Sequence, residues 1–298
     1  MVLTPHQSVA FAHVASPARR RAIGAAVIGN VLEWYDFAVY AFLATVLARK
    51  FFPGGDELSA LLATFAVFGV GFVVRPLGGI VIGRLGDRRG RKIALSLTIM
   101  LMALGTVMIG LLPSYESLGV GASALLVAAR LLQGFSAGGE WGSATAFIVE
   151  WAPPRRRGLF GSLQQASVAG GFLLGSLTAA SLSTWLSPAA LEDWGWRLPF
   201  LFGGLLGPIG LYMRRNIEET PPFKASVQGR AERGAAPTSQ GWRLAVRAFG
   251  FTVLWTIAYY IFLSYMPTFL QKHAGLDRAQ ALWSNTLALL VLVAAVPA

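Results

Sequence analysis

Runs of about twenty apolar residues, repeated along nearly the whole chain, constrain this sequence more than any other feature. They fall at roughly 22–46, 59–83, 93–112, 122–148, 159–182, 198–213, 246–266 and 280–298. A helix rises about 1.5 Å per residue, so about twenty mostly apolar residues cross a hydrocarbon core about 30 Å thick. Inside lipid every backbone N–H and C=O must be bonded within the protein, and a helix does this within a single segment. The expected fold is therefore an all-α membrane protein with eight spans.

Composition supports that reading against its competitors. Only 13% of the 298 residues are charged and 55% are hydrophobic, whereas a soluble domain carries about 25% charged residues. A soluble enzyme and a disordered chain are both disfavoured. The absence of Cys removes disulfide frameworks, thiolate zinc sites and cysteine nucleophiles. His6, His13 and His273 lie outside the spans without ligand-spaced partners, so no metal is expected. No GxxxxGK[ST] loop is present, which disfavours ATP-driven transport. No cofactor is expected.

A formal charge of +11 can signal nucleic acid. Here it is better explained by basic loops on one side of a membrane, so no nucleic-acid partner is expected. With the N-terminus inside, the cytoplasmic set is Arg19–Arg21, Arg84, Arg88, Arg89, Arg91, Lys92, Arg155–Arg157, Arg214, Arg215, Lys224, Arg230, Arg233, Arg243 and Arg247. The external set is Arg49, Lys50, Arg197, Lys272 and Arg278. This asymmetry predicts a cytoplasmic N-terminus. Residues 1–21 hold Pro5, Pro17 and the arginine cluster but no apolar signal core, so the first span is expected to be retained.

The chain divides into a cytoplasmic N-terminus at 1–21, a six-helix bundle at 22–213, a linker at 214–243 and the start of a second bundle at 244–298. The linker is polar and contains Pro221, Pro222, Gly229, Gly234 and Pro237. Six spans, a linker and two spans read as an interrupted six-plus-six plan, or as an eight-helix protein.

The sharpest motif follows the second span: Gly83-Arg84-Leu85-Gly86-Asp87-Arg88-Arg89-Gly90-Arg91-Lys92. Glycines permit a tight reversal between close helices, and Asp87 beside several guanidiniums can form charge-assisted locking bonds. Within the spans, Glu33 and Asp36 share a face of the first helix, flanked by Asn30 and Phe37. Ionisable residues at membrane depth are costly and face a cavity or a partner. Two carboxylates so close favour holding a proton between them. Arg75 and Arg130 are the matching cations, with Gln133 three residues after Arg130. An Arg fork can take a substrate carboxylate or hold a helix carboxylate. Arg75 is equally open to a gate role. Glu140 is open to two: a second proton station, or a partner for the gate arginines. Glu150 and Arg157 flank the fourth-to-fifth helix connection and can join Asp87 and Arg91 in a cytoplasmic charge network. Gln164, Gln165, Tyr259 and Tyr260 are weaker cavity candidates. The pairs Gly134/Gly138, Gly171/Gly175 and Gly203/Gly207 suit close helix packing.

The 83–92 string resembles the loop between helices 2 and 3 of the major facilitator superfamily, G-x-L-x-D-R-x-G-R-K, at Gly83, Leu85, Asp87, Arg88, Gly90, Arg91 and Lys92. Residues 29–37, Gly-Asn-Val-Leu-Glu-Trp-Tyr-Asp-Phe, resemble the first helix of the metabolite:proton symporters. Arg130-Leu131-Leu132-Gln133-Gly134, Gly138-Gly139-Glu140-Trp141-Gly142, Gly195-Trp196-Arg197-Leu198-Pro199-Phe200 and Glu219-Thr220-Pro221-Pro222-Phe223 resemble later parts of the same family, as do Glu150, Pro153, Arg157 and Gly158. The resemblance implies a twelve-helix transporter of two bundles, so the chain is expected to stop about four helices early. It also implies alternating access, proton coupling at an Arg such as Arg130, and a cytoplasmic network that breaks for inward opening. The implied location is a bacterial inner membrane, in a lipid bilayer. The expected function is proton symport of a small organic acid or zwitterion. A partial fragment of such a carrier, and a membrane sensor or scaffold on the same fold, are the alternatives.

Overall fold

A computed structural model of the chain describes residues 16–89, 91–153, 156–215 and 239–297, and these are helical throughout apart from short connections. The principal helices are α1 (Ser16–Phe42), α2 (Ala44–Phe51), α3 (Glu57–Arg89), α4 (Arg91–Leu111), α5 (Val120–Trp151) and α6 (Arg157–Trp185). They continue with α7 (Arg197–Arg215), α8 (Ser239–Tyr260), α9 (Met266–His273) and α10 (Arg278–Ala295).

Six described helices are long and apolar enough to cross a membrane, and α1 with α2 makes a seventh, bent by 64°. The expected first span is thus two helices with a corner at Leu43. Neither Pro nor Gly stands at the corner. Ala44, Val46, Leu47 and Phe51 beyond it are buried, and the Ser123 hydroxyl bonds the Phe51 carbonyl at 2.6 Å. Packing around α2 therefore holds the bend. The expected span at 198–213 is α7, a helix of the bundle, but Arg197, Arg214 and Arg215 leave only sixteen residues between them. The expected span at 246–266 continues to His273 through a wider turn at Ile261–Tyr265. Pro267 has no N–H to give the carbonyl four residues back, so regular helix bonding is interrupted there.

The connection after the second span also differs from expectation. Gly83 to Arg89 continue α3 as helix, and α4 begins at Arg91. The glycines at 83 and 86 are therefore not turn residues. Gly83 and Gly86 cost some helix propensity, but the segment carries the helix beyond its apolar stretch.

The helices pack in neighbouring pairs: α3 on α5, α1 on α6, α4 on α7 and on α5, and α10 on α6. Small residues set the closest approaches. A methyl placed on Gly134 or Gly138 would sit 2.0 Å from the Gly71 or Arg75 carbonyl oxygen, well short of van der Waals contact distance, and one on Gly78 would meet the Phe135 carbonyl. At Gly171 it would lie 2.5 Å from Trp34 Cβ, and at Gly175 2.7 Å from Ala38 Cβ. The expected glycine pairs are thus contact surfaces. Apolar side chains such as Val73, Leu111, Leu205, Phe251 and Leu254 are exposed, while Asn30, Glu33, Asp36, Arg130, Gln133 and Glu140 are buried. This inside-out distribution is what a lipid surround selects.

Candidate functional site

The buried charges converge where α1, α3, α4, α5 and α7 meet. Arg130 on α5 donates from Nη1 to Gln133 Oε1 at 2.8 Å. Gln133 Nε2 donates to Thr106 Oγ1 on α4 at 2.8 Å. Thr106 Oγ1 donates to Asp36 Oδ2 on α1 at 2.6 Å. A cation on one helix is thereby joined to a carboxylate on another through two neutral side chains. All four are buried, and Arg130 is fully enclosed. Thr106 was not apparent from the sequence. A Thr in an apolar span ordinarily bonds its own helix carbonyl; here the Met102 carbonyl, at 3.0 Å, competes with the nearer Asp36 for the one hydroxyl proton.

Glu33, Asp36 and Glu140 line one cavity of about 20 Å³ between α1, α4, α5 and α7, closed by Leu32, Met102, Gly203 and Gly207. A space of this size holds about one water. Glu140 accepts a hydrogen bond from Thr98 Oγ1 at 2.9 Å. Glu140 thus shares this cavity with Glu33 and Asp36. A Cβ on Gly203 would sit 2.6 Å from Asp36 Oδ1 and 2.9 Å from Thr106 Cγ2, so this glycine makes room for the carboxylate itself. Among the described residues no group of three His, Asp or Glu has the geometry to hold a metal.

The second cation, Arg75 on α3, lies among aromatic rings of α1 and α3. Its guanidinium carbon lies 4.1 Å from the Phe72 ring centre, 4.7 Å from that of Phe37 and 5.6 Å from that of Trp34. Arg130 lies 4.4 Å from the Tyr40 ring, 4.7 Å from Phe37 and 5.0 Å from Phe68. Phe37 therefore serves both cations. Such contacts offset part of the cost of burying a guanidinium, at about 2 kcal/mol each when desolvated. Nε and Nη2 of both arginines make no hydrogen bond among the described residues, leaving donors that suit a carboxylate ligand. Tyr260, at the end of α8, packs its ring 5.2 Å from Phe72 and 6.2 Å from Trp34, so the helices after the linker reach the aromatic cluster around Arg75.

Other expected residues fall elsewhere. Asn30 donates to Ser167 Oγ at 2.6 Å and to the Gln164 carbonyl at 3.3 Å. It fastens α1 to α6 and does not line the acid cavity. The side chains of Asp87, Arg91 and Glu150, and all of Gly90, lie outside the described residues. Gly83 has open space around it, and Arg88 and Arg157 are exposed. The cytoplasmic network thus rests on the sequence. At the opposite end, a cluster not singled out from sequence links Glu57 to Lys272 and to Arg49, and Arg49 to Glu192.

The sequence pattern of the sugar (and other) transporter family matches residues 22–243. The chain is 41% identical to the proline/betaine transporter of Escherichia coli K12 over 267 residues, 85% of this chain and 53% of that protein. It is 40% identical to the citrate-proton symporter of Klebsiella pneumoniae over 90% of this chain and 61% of that protein. It is 38% identical to the alpha-ketoglutarate permease of E. coli K12 over 93% and 65%. The chain therefore spans about half to two-thirds of the length of these relatives. In fold it is similar to the xylose transporter XylE of E. coli in a partially occluded inward-open conformation. That likeness has a TM-score of 0.71 at 18% identity and covers 94% of this chain and 69% of the other.

Proposed function

This chain belongs to the sugar (and other) transporter family, within the major facilitator superfamily, and from that premise we propose that it carries out proton symport of a small organic acid or zwitterion. The single observation that carries the proposal is the buried Arg130–Gln133–Thr106–Asp36 chain beside the cavity of Glu33, Asp36 and Glu140. The named relatives, a citrate-proton symporter and a proline/betaine transporter, support it.

The geometry gives the coupling a physical route. With Asp36 ionised, Thr106 donates to it and Gln133 holds Arg130 toward α4. A proton on Asp36 removes the charge that orients Thr106. The Gln133 amide and the Arg130 fork are then free to reorient. A substrate carboxylate meeting the unbonded guanidinium donors of Arg130 and Arg75 replaces the lost interaction, so proton and substrate stabilise the same arrangement. Tyr260 brings the helices after the linker against the rings of Phe72 and Trp34 beside Arg75, as a carrier that rocks two bundles around a central site requires. We place the protein in a bacterial inner membrane with its N-terminus in the cytoplasm, on the distribution of Lys and Arg.

Proteoliposome uptake under an imposed pH step tests the reading. Uptake of a carboxylate solute should collapse when a protonophore is added at clamped membrane potential. It should also be lost in Asp36→Asn with membrane insertion intact. Uptake indifferent to the protonophore rejects proton coupling.

A further inference from the structure

A second chamber lies at the end of the molecule far from the 83–92 segment, with a volume of about 320 Å³. Its floor is apolar, from Ala48, Phe52, Pro53, Ala60 and Leu61, and its charged wall is Arg49, Lys272, Asp56 and Glu57. That volume is at the small end of metabolite pockets.

The charges in its wall are not equivalent. Asp56 is committed: both of its carboxylate oxygens bond Ser59, at 2.9 Å to the backbone N–H and 2.8 Å to the hydroxyl. Glu57 is not committed in this way. It pairs with Lys272 and lies 3.9 Å from Arg49, yet its side chain is 62% exposed. An ion pair so exposed is worth about 0–1 kcal/mol, and water readily takes its place at the carboxylate. The two cations are less exposed, 31% for Lys272 and 41% for Arg49, and Arg49 keeps its Nη2 on Glu192, leaving its Nη1 edge toward Glu57. Behind them Arg278 donates to Thr45, which also lines the chamber, at 3.0 Å. Arg278 Nε is buried without a hydrogen-bond partner.

We infer that this chamber is a peripheral binding site for a small carboxylate, whose carboxyl group takes the place of Glu57 on Lys272 and Arg49 while its apolar body rests on the Ala48–Leu61 floor. Arg49, Glu57 and Lys272 come from α2, α3 and α9. Occupation thus exchanges an internal tie between helices before and after the linker for contacts with a solute. The site is distinct from the central arginines and stands whether or not the chain couples uptake to protons.

Acylation of lysines in the purified 298-residue protein, read by peptide mass spectrometry, gives a local readout. Lys272 and the nearby Lys50 are compared with and without millimolar succinate. Sodium chloride of matched ionic strength separates a carboxylate from general screening. Succinate should slow acylation of Lys272 at least threefold, leave Lys50 unchanged, and do the same in Arg130→Gln. In Glu57→Gln, free of the internal competitor, Lys272 should react faster without ligand, and protection should need several-fold less succinate. Equal protection by chloride overturns the site. So does protection lost in Arg130→Gln, which makes the effect a consequence of central binding, or protection weakened in Glu57→Gln.

Discussion

Thr106 carries more of the central site than its residue type suggests. Its hydroxyl donates to Asp36 and accepts from Gln133, so removing it orphans one group on each side. Thr106→Val keeps the shape and deletes both bonds. Interhelical hydrogen bonds in membranes average about 0.6 kcal/mol and reach nearly 2. Thermal unfolding in detergent should therefore show a loss of about 1–2 kcal/mol, with proton-driven uptake reduced at least tenfold and restored by Thr106→Ser. Gly203→Ala separates room from bonding. Its new methyl, 2.6 Å from Asp36 Oδ1, pushes on the carboxylate while every hydrogen-bonding group remains. Uptake should fall severalfold and its pH dependence should shift; an unchanged pH profile would show that Asp36 has room to move. The acids and arginines were legible in the sequence because charge in an apolar run is costly enough to need a reason. Thr106 was not, and Gly203 was legible only as a packing glycine, because a Thr or Gly in a span serves packing and local bonds at no visible cost. Arg75 was legible as a cation but not in its direction, which the rings of Phe37 and Phe72 decide.

At the scale of helices, the closest packing is α3 against α5, where backbone meets backbone at Gly71, Gly78, Gly134 and Gly138. An added methyl there cannot be absorbed by a side-chain rotation, since the opposing atoms are carbonyls. Gly134→Ala and Gly138→Ala should each cost about 1–3 kcal/mol, the usual range for overpacking. Gly83→Ala, in open space on the same helix, should be neutral or slightly stabilising in detergent melts. Equal melting temperatures for all three variants would mean that the two helices separate freely. Spacing alone exposed the Gly134/Gly138 pair, because residues four apart share a helix face; Gly71 and Gly78, seven apart on the facing helix, were not singled out. The corner at Leu43 was hidden, since no Pro or Gly marks it and the apolar run passes through unbroken. The helical course of 83–89 was hidden for the opposite reason. Gly and charge read as turn, yet nothing in Gly83-Arg84-Leu85-Gly86 forbids helix once α3 has begun.

Across the whole molecule, one end gathers Arg49, Glu57, Glu192, Lys272 and Arg278, and the other carries the exposed Arg84, Arg88, Arg89, Arg156 and Arg157. The two ends differ in kind. At the first, basic residues are paired with acids or bonded to neighbours, so little net charge faces outward. At the second, described basic side chains are solvent-exposed and accumulate. The orientation itself is read from where Lys and Arg accumulate along the loops. The absence of Cys makes the orientation directly measurable, because any introduced thiol is the sole target for a maleimide. Ser117→Cys lies exposed between α4 and α5, and Arg88→Cys lies exposed near the end of α3. In intact cells an impermeant maleimide should label Ser117→Cys and spare Arg88→Cys. After permeabilisation both should react. The reverse pattern would invert the molecule and put the Glu57–Lys272 chamber on the cytoplasmic face. Labelling of both in intact cells would mean a mixed insertion that the charge asymmetry should prevent.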